Sequence, residues 1–558
     1  MTSNPNLNRK KQKVTQNQYS GYTIPSSPAT EITTIDTATS SITAREFFAK
    51  FISQRKPVKL VNSSRTNEAC FLDVEKFQLN NLQATLAYDD EPLQVEELFQ
   101  GGFGSGQKRV DMMLGDLLHE FKTGDSELYL TTQYDREGDN EENGKEHKVG
   151  DEVEEGLAGE RTEEQEEQQQ RQQQEGEEEG EGEEEEEEEG TALFEQMSNA
   201  SSIDMNDLHD DFDDFENLSS DNEDDDSDSE YEAYQRVKTL YQPPLTNLAK
   251  SSKVLPTNPP LIPNLIPQQI NIWMGKTGPT NRAQFSIDPS QPLTELDRSI
   301  PNNGTSSGLH HDHADNLYVL VQGRKRFTIY SPNDASKLYT VGKIHKIFNN
   351  GVIDYEVDEQ FPNWRSIRDD GAMIEDVLNW QISQTQDKEE LEQLNELLSI
   401  QESKRKCHCN KSQQDEEANL NGNREQSHDP PSFSKIPPAL LHVDEVDDPK
   451  QQQRLIEFAN THFPGFLQLK KITVWLEPGH MLYLPASWFH EVSSFGEECD
   501  AKDNNSGGKG VHIALNYWFV PPNTDNFDNC YKDQYWQQDW EETKQALGVF
   551  IDASKPTT

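Results

Sequence analysis

Residues 136–233 constrain the architecture before any strand or helix is sought. They hold 42 acidic and 5 basic residues, a balance of −37 within a chain total of −52, and include the unbroken run Glu183–Glu189. A segment so charged and so poor in apolar residues does not bury enough surface to offset the entropy of ordering it. It reads as an acidic low-complexity insertion, so any core must be assembled from the sequence on either side. Loop-closure entropy permits that: stretching a connection from about 5 to about 100 residues costs roughly 2.5 kcal/mol. The remainder of the 558 residues carries −15 and is long enough for one sizeable core.

Polar composition over residues 1–40 predicts a disordered N-terminal arm. Residues 41–135 read as the first part of the core. Thr43-Ala-Arg-Glu46 is a capping box, followed by Phe47, Phe48, Phe51 and Ile52 on one helix face. Pro57 marks the exit, and Val58–Val61 reads as a strand. Leu114, Leu117, Leu118 and Phe121 predict a second helix stopped by Gly124, and Glu127–Tyr134 the next strand. After the acidic insertion, residues 234–349 resume the core with a Pro-rich wrap (241–267), a strand over Asn271–Gly275 and a polar insertion (276–304). Residues 350–464 read as a second insertion with helical spacing at Leu391, Leu394 and Leu398, linker-like over 401–436. Residues 465–525 complete the core, and 526–558 form a helical tail suited to a lid or a homodimer contact. Cys407 and Cys409 form a lone Cys-x-Cys without a second pair, which is not a zinc signature.

The chemistry-bearing stretch runs from Ser307 to Tyr330. Two apolar runs, Leu317–Val321 and Lys325–Tyr330, flank Gln322-Gly323 and predict a β-hairpin. In front of it stands His310-His311-Asp312. Residues two apart in a strand share a face, so His310 and Asp312 can hold one ion while His311 points elsewhere. A third ligand must come from afar, and His490 in Pro478-Gly-His-Met-Leu-Tyr-Leu-Pro-Ala-Ser-Trp-Phe-His490 is the candidate, with His480 and His512 as competitors. Two histidines and a carboxylate on one side of a metal leave positions open for a co-substrate and O2, the facial arrangement of non-haem Fe(II) oxygenases. Lys325 alternates with Phe327 and Ile329 and should face inward, where a buried lysine needs an anionic partner.

These blocks, with Ala514-Leu-Asn516-Tyr-Trp518, resemble the JmjC (cupin-like) 2-oxoglutarate oxygenases, and most closely the small hydroxylase-type members. The resemblance covers about half of the chain, in three blocks in the family's order. It implies a mainly β fold, a double-stranded β-helix or jelly roll with flanking helices, and the metal at one open end. It also selects among the candidates. His310 and Asp312 stand at the family's spacings from Asn316 and Lys325, whereas the second His-x-Asp, His313 and Asp315, does not. Only His490 follows an aromatic pair as the family's distal histidine does. The resemblance further implies Fe(II) on His310, Asp312 and His490, with 2-oxoglutarate as co-substrate held by Lys325, Tyr129, Ser307, Asn316 and Asn516.

The expected activity is hydroxylation of a protein, with histone lysine demethylation as the alternative within the family. A different class is a non-catalytic JmjC protein whose acidic tract holds basic partners. The charge favours basic partners of histone or ribosomal type and disfavours nucleic acid. No apolar stretch approaches a membrane span, and no secretory apolar region opens the sequence. Five scattered cysteines fit a reduced intracellular compartment, cytoplasm or nucleus. Arg9-Lys10-Lys11-Gln-Lys13 reads more simply as a solvated tail than as an import signal.

Overall fold

A computed structural model of the chain describes residues 16–26, 31–63, 71–88, 91–97, 102–103, 109–124, 127–133, 226–276, 298–301, 304–358, 360–416, 429–495 and 510–553, without the side chains of 226–228 and 404–416. Most of the acidic insertion and the polar stretch after Lys276 lie outside the described residues, as do the side chains of Cys407 and Cys409.

The strands in chain order are β1 (Gln16–Asn17), β2 (Thr33–Asp36), β3 (Val58–Val61), β4 (Leu93–Glu97), β5 (Arg109–Met112), β6 (Leu128–Leu130), β7 (Pro267–Lys276), β8 (Thr305–Ser306), β9 (Asp315–Gln322), β10 (Arg324–Tyr330), β11 (Ile344–Ile347), β12 (Ile353–Tyr355), β13 (Ile472–Leu476), β14 (Met481–Leu484), β15 (Phe489–Phe495) and β16 (Val511–Phe519). They form a nine-stranded sheet ordered β2-β3-β14-β9-β16-β7-β6-β4-β5, a four-stranded sheet β13-β10-β15-β8 and a small sheet β1-β11-β12. The helices are α1 (Ala44–Phe47), α2 (Leu79–Leu86), α3 (Leu114–Thr123), α4 (Asp226–Leu240), α5 (Ile374–Gln384), α6 (Lys388–Glu416), α7 (Pro449–His462) and α8 (Tyr535–Ala553).

Alternation along the strands builds the layers. One face of β9, β16 and β7 carries Leu317, Val319, Ile513, Leu515, Ile270 and Ile272, buried against Phe47, Leu117, Leu118 and Phe121 of the helix layer. The opposite face carries Tyr318, Leu320 and Ala514, which meet Phe327, Ile329, Ile472 and Val474 of the four-stranded sheet. Both faces being covered explains why these strands read as continuous apolar runs. The capping box at Thr43 and the end of α3 at Gly124 are present as the sequence suggests, and a wider helical turn, Phe48–Ile52, continues α1.

Four expectations need correction. Gln322-Gly323 does not close a hairpin: β9 pairs with β14 and β16, whereas β10 pairs with β13 and β15. The chain turns a corner there from one sheet to the other. Gly323 takes φ +81, and a Cβ on it would lie 2.7 Å from the His512 Cβ. Two apolar runs around a glycine look alike whether the strands bond to each other or to neighbours distant in sequence. The N-terminal arm, secondly, is not disordered throughout, since β1 adds to β11, β2 adds to β3, and Tyr22 stacks on Trp488 at 6.2 Å. Thirdly, α4 begins inside the stretch assigned to the acidic insertion. Its Arg236 pairs with Asp539 and Glu542 of α8, a tertiary contact that acidic composition conceals. Finally, residues 429–434, read as linker, lie directly against the site described next.

Candidate metal centre

His310 and His490 are cross-strand neighbours. The His310 amide donates to the His490 carbonyl at 3.0 Å and the His490 amide to the His310 carbonyl at 2.7 Å. The rings lie 4.4 Å apart. Asp312 follows in the loop before β9 and completes the group, with Oδ1 4.0 Å from His310 Nε2 and Oδ2 3.7 Å from His490 Nε2. One ligand atom from each residue falls within 4.8 Å of the others, as a single ion requires. The outward nitrogens are already engaged: His310 Nδ1 meets the Gly308 carbonyl at 3.0 Å and His490 Nδ1 the Trp488 carbonyl at 2.9 Å. A carbonyl accepts only from N–H, so both rings carry their proton on Nδ1 and turn the Nε2 lone pair towards Asp312. Burial, reinforced by His490, pushes His310 down to about 4, so it is a neutral donor at physiological pH.

The competing histidines are placed elsewhere. His311 reaches Tyr355 at 2.6 Å on the far side, and His313 meets the Ile353 carbonyl at 3.1 Å. Asp315 is fully buried and clasped by Arg55. His480 sits in the turn after Pro478 and accepts from the Glu477 amide at 3.1 Å. His512 is buried beside Tyr129, with ring centroids 5.7 Å apart.

The cavity in front of the triad is lined by His310, Asp312, Ser307, Tyr129, Lys325 and Tyr318, with Trp273, Trp518, Trp364 and Phe433 among its aromatic walls. Lys325 is 1% exposed, and its Nζ donates to Tyr129 Oη at 3.1 Å. Among the described residues no carboxylate lies within ion-pair distance of it. Burial pushes its ammonium down to about 7. Tyr129 is fixed by Phe103, stacked at 3.8 Å. Ser307 is partly committed: its hydroxyl donates to the Gly308 carbonyl at 3.0 Å and accepts from the Val492 amide at 3.1 Å. Asn316 donates to Asp312 Oδ2 at 3.4 Å, leaving its own buried Oδ1 without a partner among the described residues. Asn516 is cross-strand from Asn271 and Tyr318, and its Oδ1 is likewise unmatched among the described residues. Neither asparagine is among the residues that line the cavity.

Sequence reasoning missed Phe433, which stacks on His310 at 4.9 Å and 15° and pairs with it as a bridge opposite His490. It also missed Trp273 and the clasp of Arg55 on Asp315. Trp518 carried a usable signal, since it is two residues from Asn516 and shares its face.

Residues 44–525 match the family described as a cupin-like domain. The chain belongs to the cupin-like family. Over 360 residues it is also 32% identical to the JmjC domain-containing protein 4 of Schizosaccharomyces pombe, which spans 57% of this chain and 67% of that relative. The cupin-like chain thus carries, between the start of β15 and the residues before β9, a His-Asp-His group suited to holding a metal ion.

Proposed function

We propose that this protein is an Fe(II)- and 2-oxoglutarate-dependent oxygenase that hydroxylates a protein substrate. One observation carries the reading beyond metal binding: the cavity that His310 and Asp312 line also holds a buried lysine that has no carboxylate partner among the described residues. A cation so placed is costly unless a ligand supplies the missing charge. 2-Oxoglutarate fits, because its 2-oxo acid suits the open side of a three-ligand ion and its far carboxylate suits an ammonium deeper in the cavity.

His310 and His490 would hold the iron through Nε2 and Asp312 through a carboxylate oxygen, a hard mixed donor set suited to ferrous iron. Lys325 and Tyr129 would hold the far carboxylate with two charge-assisted or polar hydrogen bonds. When bound together, iron and 2-oxoglutarate let O2 be consumed with release of succinate and CO2, the second oxygen atom entering a substrate C–H bond. Trp273, Trp518 and Phe433 line that place with aromatic surface. A large negative balance favours a basic polypeptide as substrate.

The test incubates purified protein with Fe(II), 2-oxoglutarate and a basic protein fraction, and follows succinate and the masses of the acceptor peptides. The expected result is succinate formation with the gain of one oxygen in a peptide, absent with His490→Ala. Loss of a methylene mass would assign the demethylase chemistry instead. Iron-loaded protein that forms no more succinate than His490→Ala would refute the oxygenase reading.

A further inference from the structure

Arg55 lies outside every block that marks the site in the sequence, yet it touches both arms of the triad's support. It is 3% exposed and adopts φ +52, a backbone conformation unusual for a residue with a side chain. Its guanidinium grips Asp315 with both ends, Nη1 to Oδ2 at 2.9 Å and Nη2 to Oδ1 at 2.5 Å, while Nε donates to the Asn350 carbonyl at 2.9 Å. Its own carbonyl accepts from Trp488 Nε1 at 3.1 Å. Asp315 follows Asp312 by three residues, and Trp488 precedes His490 by two.

The remaining capacity of Asp315 is spent on the segment leading to His490. Tyr483 Oη donates to it at 2.5 Å and the Ala486 amide at 2.9 Å. One residue further, the Ser487 amide donates to the Asp312 carbonyl at 2.7 Å, with Ser487 itself at φ +61. The two histidines are held by their own backbone ladder. Asp312 is not in that ladder, so the place of its carboxylate depends on Asn316, which donates to it, and on how residues 312–315 are fastened to residues 483–488. Arg55 fastens both. A planar, bidentate guanidinium transmits orientation as well as charge, which a lysine cannot do.

We propose that Arg55 is a positioning residue of the metal centre, acting through Asp315 and Trp488 to set where Asp312 stands relative to His490. The proposal rests on the metal reading above.

Full-length metal-free protein is titrated with Co(II), whose visible d–d bands report ligand number and geometry. The variants are Arg55→Met, Arg55→Lys, Asp315→Asn and Trp488→Phe, with Leu118→Ala in the helix layer as a control for general destabilisation. Positioning partners of metal ligands typically alter affinity about tenfold to a hundredfold. We expect losses of that order with altered bands in Arg55→Met and Asp315→Asn. Smaller losses are expected in Arg55→Lys and Trp488→Phe. At an equal drop in melting temperature, Leu118→Ala should keep wild-type affinity and bands. Wild-type affinity and bands in the Arg55 variants, or an equal loss in Leu118→Ala, would overturn the proposal. If Arg55→Met fails to fold, unchanged spectra in both Arg55→Lys and Trp488→Phe overturn it. Wild-type protein that binds no Co(II) sensitive to His490→Ala would instead bring down the metal reading itself.

Discussion

Replacing Lys325 with methionine should make the ligand-free protein more stable while damaging its binding of 2-oxoglutarate. The side chain is 1% exposed, and burial lowers its ammonium from 10.5 to about 7. At 1.36 kcal/mol per pH unit, that difference corresponds to about 5 kcal/mol of unfavourable burial. The sign follows from proton counting. Below pH 7 the lysine is charged in both folded and unfolded chains, and the whole penalty applies. Between about 7 and 10.5 the unfolded chain binds more protons, so wild-type stability rises with pH and the penalty shrinks. Methionine is of similar length and carries no charge; it forfeits the bond to Tyr129, worth about 1 kcal/mol, and the approach of the ammonium to the Tyr129 and Tyr318 rings, worth about 0.5–1 kcal/mol. Lys325→Met should therefore gain about 3 kcal/mol at pH 6.5 and close to nothing at pH 9.5. Urea unfolding of metal-free protein at the two pH values measures this directly. Affinity for 2-oxoglutarate should fall roughly tenfold to a hundredfold, the worth of a charged hydrogen bond. In the wild type that affinity should also weaken as pH rises above about 7, because the ammonium must be charged to meet the carboxylate. A variant that is less stable at both pH values, or that binds 2-oxoglutarate as the wild type does, would refute the reasoning.

His310→Ala, Asp312→Ala and His490→Ala should each abolish stoichiometric iron binding, measured by metal analysis, because among the described residues the group has no fourth protein donor to compensate. Normal iron in His490→Ala would remove that residue from the site. Gly323→Ala should lower stability by about 1–3 kcal/mol through backbone strain, plus the clash with His512, read as a fall in the urea midpoint. An unchanged midpoint would show that the corner relaxes freely. Replacing residues 140–225 with a short Gly/Ser linker should leave melting temperature and uncoupled 2-oxoglutarate turnover nearly intact. It should also weaken binding to a histone most at low salt, since exposed charges are screened within about 10 Å at 0.1 M. A cut carried through residue 240 should lower the melting temperature, because it removes Arg236 from Asp539 and Glu542.

The parts of the fold that were legible in the sequence are those whose signal is local. The alternation of Lys325, Phe327 and Ile329, the capping box at Thr43 and the Gly124 stop each depend on neighbours within a turn or a strand. The two-residue spacing of His310 and Asp312 belongs with them, since one extended segment carries both. Pairing was not legible, because a buried strand looks the same whichever strand accepts its bonds. The corner at Gly323 therefore passed for a hairpin. Arg55 in Ser-Gln-Arg-Lys reads as a solvated helix end, and its partner Asp315 lies 260 positions away. Phe433, in a Pro-Pro-Ser-Phe context, carries no periodicity at all, and only the tertiary path of residues 429–434 shows that it shields His310.

The ladder between His310 and His490 also sets a schedule for synthesis. The first half of the site leaves the ribosome as a histidine and a carboxylate with open coordination, while its partner strand is still untranslated. The roughly 180 residues between them take roughly 10–40 s to add at ordinary elongation rates. For that interval the nascent chain offers only a weak, two-donor half-site, open to any divalent ion in the surrounding fluid. The complete three-donor group exists only once β15 and its neighbours have closed the ladder.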